Sequence, residues 1–234
     1  MKYSNKTWRA CALCMLVALA MTTGCQNKPA ETADSTNAAT DSVVAESPLD
    51  NAVVRAIMDR RSVRKYKPEP VPKEMLDVIL HCGINAPNAM NEQRWEVRVT
   101  ESKAFIDGVT KVFIESAKDD ERVQKMVGDP DFRNMFRNAP TVIFVAGKAD
   151  EKSSPIDCGL LGENIMLAAQ SMGLGTCCLG SAAGFLNSNP GAANYLKQLA
   201  FSDGYELLYA IAIGYPDESP EAKPRDASKI RYIE

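Results

Sequence analysis

The chain has 234 residues, 45% hydrophobic and 24% charged, with a formal net charge of -3 at pH 7. That mildly acidic balance argues against a surface made for nucleic acid or for an anionic membrane face, so any basic cluster is a local feature. A single histidine, His81, and the absence of metal-ligand cysteine spacing in the folded part argue against a zinc centre and a histidine-activated nucleophile.

Residues 1–24 read as a secretory signal. Lys2, Lys6 and Arg9 form a positive start, and Ala10 to Met21 is an apolar stretch too short for a typical membrane helix. The segment ends in Met21-Thr22-Thr23-Gly24-Cys25, which resembles a bacterial lipobox. In that reading Cys25 receives lipid and anchors the protein in the cell envelope, on the periplasmic or outer-membrane side. An ordinary signal peptide with a chance cysteine is the alternative. Residues 25–48 are rich in Ala, Thr, Ser, Asp and Glu and almost free of large apolar side chains, so they are expected to be a flexible tether. Residues 49–234, roughly 185 in all, suffice for one domain with its own core.

Within that domain, Val53, Val54, Ile57 and Met58 recur at helical spacing, which predicts a helix over 49–58 with Asp50 as its cap. It runs into Arg60-Arg61-Ser62-Val63-Arg64. Pro68, Pro70 and Pro72 predict an extended linker. A second helix is predicted over 73–84, then a loop over 85–91. Trp95, Val97 and Val99 alternate with Glu96 and Arg98, a strand signal over 95–100. A helix over 103–118 precedes a charged, partly helical excursion over 119–138. The apolar run 141–146 predicts a central strand. The longest helix is predicted over 156–172, with Leu160, Leu161, Ile165, Met166 and Ala169 inward and Gly173 as its stop. Short strands over 176–179 and 206–213 flank a helix over 192–199, and the Pro- and charge-rich stretch from Tyr215 predicts an extended arm. Helices and strands mix without strict alternation, and no Gly-x-Gly-x-x-Gly follows a strand, so the fold class is α+β rather than a Rossmann fold. The domain's Cys82, Cys158, Cys177 and Cys178 sit among small or apolar neighbours and are expected to be buried thiols.

Three clusters point to an anionic, planar ligand: Arg60 to Arg64, the loop Ala86 to Trp95, and Lys223-Pro224-Arg225. Guanidinium forks and a hydroxyl suit a phosphate. The amides of Asn91 and Gln93 suit the edge of a heteroaromatic ring. Taken singly, the first cluster also reads as a solvated basic helix end and the second as turn-forming asparagines.

These residues resemble the FMN-dependent nitroreductase family. Arg60-Arg61-Ser62-Val63-Arg64-Lys65-Tyr66 is similar to its opening motif and Ala86–Trp95 to its Ala-Pro-Ser-x-x-Asn-x-Gln-Pro-Trp segment. Gly162–Ala169, Gly173–Cys177, Ile213–Pro216 and Lys223–Arg225 follow in the family's order. The resemblance implies a mixed sheet flanked by helices and an intertwined homodimer whose C-terminal arm embraces the partner. It implies that Arg60, Ser62, Lys223 and Arg225 hold the FMN phosphate and ribityl chain, with Arg61 lying along the cofactor through its backbone. Arg64 would offset the negative charge that reduction leaves on the pyrimidine side of the flavin. Asn88 and Asn91 would meet the ring edge, and Leu179 and Gly180 would pack backbone against the ring. Departures from the family pattern are Arg94 in place of Pro, Asn88 in place of Ser, and Cys178 in place of an aromatic; Arg94 is a candidate cation for an acidic substrate.

The implied activity is two-electron transfer from NAD(P)H to a nitroaromatic or quinone through FMN, with the flavin and no side chain carrying the chemistry. Two alternatives stand beside it: a relative acting on another substrate, by dehalogenation or flavin breakdown, and a non-catalytic flavin-binding surface lipoprotein. An anchor beyond the inner membrane would also restrict access to NAD(P)H, leaving the donor open.

Overall fold

The computed structural model describes Ser47 and residues 50–234. The expected signal segment, Cys25 and all of the expected tether except Ser47 lie outside the described residues.

The apolar run that begins at Thr141 governs the architecture. Residues 141–147 are buried without interruption, so both faces of this strand must be covered. The strands are β1 (Trp95–Thr100), β2 (Thr141–Lys148), β3 (Gly175–Leu179) and β4 (Tyr205–Gly214), in the spatial order β1-β2-β4-β3. All three pairings are antiparallel, with a register irregularity between Val145 and Ala146 where β2 meets β4. Among the described residues, the one parallel pairing is an isolated bridge, Ser62 with Thr176.

The helices are α1 (Ala52–Asp59), α2 (Lys73–Ile84), α3 (Lys103–Ser116), α4 (Glu121–Val127), α5 (Ser154–Ser171), α6 (Gly180–Ser188) and α7 (Ala193–Gln198). The period-two alternation of the strands sorts them into layers. Ile143, Val145, Ile211 and Ile213 face Leu76 and Ile79 of α2 and Leu161, Ile165 and Ala169 of α5. Val142, Phe144, Ala210 and Ala212 face Phe105, Ile106 and Val109 of α3 and Ala182, Ala183 and Leu186 of α6. Phe144 stands edge-on to both Phe105 and Phe136. This is the α+β arrangement that the mixing of helices and strands without strict alternation implies.

The structure corrects several sequence expectations. The first helix starts at Ala52, capped by Asn51, whose side chain accepts from the N–H groups of Val53 and Val54 at 3.1 Å; Asp50 instead pairs with Arg55. Helix α6 was not predicted, because two glycines and small side chains blur its period. Leu160 is not inward but 42% exposed. Of the four domain thiols, Cys158 and Cys177 are buried, Cys82 is half-buried and Cys178 is exposed. Cys177 and Cys178 are consecutive strand residues and so point to opposite faces of the sheet. The helix α5 ends as expected, with Gly173 in the left-handed region at φ 76°.

Candidate functional site

The first cluster is placed by a close approach of two backbones. The N–H of Val63 donates to the carbonyl of Thr176 at 3.0 Å, and Ser62 bridges Thr176 in parallel. Gly175 makes this possible, since a Cβ there would lie 2.8 Å from Cβ of Val63. The buried Val63 and Tyr66 seal the contact; the Tyr66 hydroxyl donates to the Val63 carbonyl at 2.6 Å, and burial drives its ionisation well above the ordinary tyrosine range. Arg60, Ser62 and Arg64 thus lie along the edge strand β3, which ends at Leu179 beside Gly180.

The side chains of this segment differ in how far they are already engaged. Arg61 folds back, donating to the carbonyls of Met58 and Arg60. Arg60 lies 3.7 Å from Glu163 of α5. Arg64 donates to the Ser62 carbonyl at 3.0 Å, its only side-chain hydrogen bond among the described residues, while its backbone N–H donates to Glu218. The Ser62 hydroxyl has no hydrogen-bond partner among the described residues. A Cβ added at Gly180 would meet nothing within 4 Å, so the backbone there is open to an approaching ring. A hydroxyl and guanidinium donors beside β3, with bare backbone where the strand ends, are groups that a phosphorylated heteroaromatic can use.

The second cluster is a tight loop. The carboxamide oxygen of Asn88 accepts from the Gln93 N–H at 2.9 Å, closing it; Asn91 lies exposed on its rim. Asn88 therefore has a turn-closing task in addition to any ligand contact. Trp95 begins β1 and is core, 9% exposed. Arg94 pairs with Glu92 and with Glu151, the latter at 2.5 Å, so the cation that looked available for an acidic substrate is already matched by two carboxylates.

The third cluster is not brought to the first. Residues 221–234 are exposed throughout. Arg225 makes one side-chain hydrogen bond among the described residues, to the Lys223 carbonyl. The arm departs from the sheet edge where Tyr66 bridges Pro216 and the Asp217 N–H donates to Lys65.

Sequence reading missed Glu163, Glu218 and Asp157 as partners of these clusters, since each contact spans a long stretch of chain. It also missed a cleft of about 460 Å³ beside Arg64, walled by Tyr66, Arg133, Asn134 and Arg137. Four cations (Arg64, Lys65, Arg133, Arg137) and four carboxylates (Asp129, Asp131, Asp217, Glu218) line it, so it is not a dedicated anion site. No group of metal-ligating side chains occurs among the described residues.

Residues 57–215 match the model of the nitroreductase family. The chain belongs to the nitroreductase family. It is 30% identical over 185 residues to an NADPH-flavin oxidoreductase of Vibrio harveyi, covering 75% of this chain and 70% of that one. A solved nitroreductase from Bacteroides fragilis, with FMN bound, superposes with a TM-score of 0.68 at 26% identity, covering 79% of this chain and all of the other. An iodotyrosine deiodinase of Danio rerio is 27% identical over 201 residues, 74% of this chain and 64% of that one. The matched stretch contains the first two clusters and ends before Lys223-Pro224-Arg225.

Proposed function

We propose that the protein is an FMN-dependent oxidoreductase that takes electrons from NAD(P)H and reduces a nitroaromatic or a quinone, working as a homodimer. The observation that carries this reading is the docking of the Arg60–Arg64 segment on β3, which sets Ser62, Arg60 and Arg64 in line with the open backbone at Gly180. Those residues fit the cofactor: Ser62 and Arg60 would hold the phosphate, joined by Lys223 and Arg225 of the C-terminal arm, and Arg64 would face the pyrimidine side. FMN, when bound, supplies the hydride-accepting and hydride-donating chemistry. The protein binds, orients and biases: Arg64 places positive charge where reduction adds negative charge, and the Leu179–Gly180 backbone limits how the ring can sit.

The dimer is inferred from what the described residues leave uncovered. No residue of α1 is buried, and Ile230, Tyr232 and Ile233 of the arm are 71%, 94% and 92% exposed. Such apolar surface at both ends of a domain marks a protein interface. A second copy would bring Lys223, Arg225 and the 86–95 loop to sites they do not reach within one chain.

Purified protein should be yellow, lose its flavin absorbance on addition of NAD(P)H and recover it with menadione. Colourless protein that does not reconstitute with FMN overturns the reading. The similarity to an iodotyrosine deiodinase favours one second reading, reductive dehalogenation; turnover of halogenated phenols without turnover of nitro compounds or quinones would establish it. Colour without bleaching would favour a flavin-binding role, or another donor. The envelope location rests on the sequence alone: Cys25→Ser should release the protein from membranes, and persistent membrane association would remove the lipid anchor from the account.

A further inference from the structure

We propose that Asp157, in the first turn of α5, is a positioning residue that holds the 88–93 loop in its ligand-binding shape. This rests on the reading of that loop as the flavin-edge contact. The loop is under backbone strain: Met90, Asn91 and Gln93 all have side chains and all lie in the left-handed region, at φ 55°, 55° and 51°. Residues other than glycine stay there only when their surroundings hold them. Met90, in the middle, is 88% exposed and supplies no such hold.

The hold comes from the start of α5. Both carboxylate oxygens of Asp157 accept from the Ala89 N–H, at 3.2 and 3.3 Å. Three residues earlier, the Ser154 hydroxyl donates to the Arg94 carbonyl at 3.0 Å. The helix thus grips the loop at its entrance and its exit. Asp157 is only 5% exposed and forms no ion pair among the described residues. A buried carboxylate without a cation is costly to keep. The Ala89 amide and the positive end of α5 are the groups that offset that cost.

Among the described residues, the side-chain hydrogen bonds of Asp157 go to the Ala89 N–H alone, so it acts through Ala89 on Asn88 and Asn91. Asp157→Asn keeps the shape and one acceptor oxygen, whereas Asp157→Ala removes the contact. Two measurements separate positioning from general stability. Hydrogen exchange at the Ala89 amide, in protein without flavin, should quicken in Asp157→Ala while amides of β2 and β4 keep their protection. FMN affinity should fall about 10- to 100-fold in Asp157→Ala and less in Asp157→Asn, the range expected for a charge-assisted hydrogen bond. The flavin midpoint potential should move with it. Unchanged exchange at Ala89, or unchanged FMN affinity in a folded Asp157→Ala protein, overturns the proposal. If the alanine variant fails to fold, the asparagine variant decides by the same two readings. Wild-type protein that binds no FMN sinks the reading of the site itself, and is told apart because the wild-type titration alone reveals it.

Discussion

The centre of the sheet and the two ends of the domain obey different rules. In β2 and β4, apolar side chains alternate between two covered faces, and the residues Val142 to Ala146 and Ala210 to Ile213 are wholly inaccessible. In α1 the apolar spacing is just as regular, yet Val53, Ile57 and Met58 are 66%, 51% and 67% exposed. The arm from 221 to 234 is exposed as well, with Ile230, Tyr232 and Ile233 uncovered. Amphipathic pattern therefore specifies a face to be buried without saying by whom. The sheet finds its cover within the chain, and the ends are what the proposed second copy would cover.

Breaking the centre should have the largest effect. Phe144→Ala removes a fully buried ring that Phe105 and Phe136 both meet edge-on; the expected cost is about 3–5 kcal/mol in denaturant unfolding. Breaking an end should act differently. Ile57→Asp should leave the stability of the separated monomer within about 0.5 kcal/mol, as for other exposed sites. It should weaken self-association at least about 100-fold, because an unpaired carboxylate would be trapped in the interface. Analytical ultracentrifugation over a dilution series measures this. A large monomer destabilisation with unchanged association would mean that α1 is covered by its own chain.

The same contrast explains what was legible in the sequence. The strands were read almost to the residue, because alternation at Trp95–Thr100 and the unbroken apolar run from Thr141 each admit one placement in a layered fold. Helix α6 was not legible: Gly180, Gly184 and a series of small side chains give little periodic signal, and Ala182 and Ala183 are buried because small residues fit against Ala210 and Ala212 of the sheet. The proposed ligand-facing residues were singled out by the donor chemistry of three clusters and assigned roles by resemblance, since Arg60 or Asn91 alone reads as surface. Their partners were not legible at all. Ala89 meets Asp157, 68 residues away, and Arg64 meets Glu218, 154 residues away, and no local pattern announces such a contact.

A smaller effect separates the two regions by pH. Burial pushes the Cys158 thiol, on the α5 side of the sheet, up from 9.0 to about 11. The native state then holds a proton that the unfolded chain releases. The associated stability is complete below pH 9.0 and is lost as pH rises toward about 11. The loss from this one group is up to roughly 2–3 kcal/mol. Cys158→Ala should flatten that alkaline decline, whatever constant cost its lost packing adds, whereas substitutions in the arm should leave the slope unchanged. Urea titrations at pH 8, 9, 10 and 11 supply the comparison.

The smallest expected effect concerns Arg94, which stands between core and surface, its side chain 24% exposed. Its position next to the proposed ring-edge loop invites a role in choosing acidic acceptors. Its partners argue otherwise: Glu92 and Glu151 both hold the guanidinium, and two carboxylates around one cation leave no net positive charge to attract an anion. Arg94→Ala should therefore cost about 1 kcal/mol or less in stability, the value of a partly exposed pair. The ratio of kcat/KM for a carboxylated and an uncharged nitroaromatic should stay the same. A shift against acidic acceptors that arises only from uncovering Glu92 and Glu151 is reversed when Arg94→Ala is combined with Glu151→Gln. A clear loss of preference for the acidic acceptor that the double substitution does not restore would show that Arg94 leaves its carboxylates to meet the substrate.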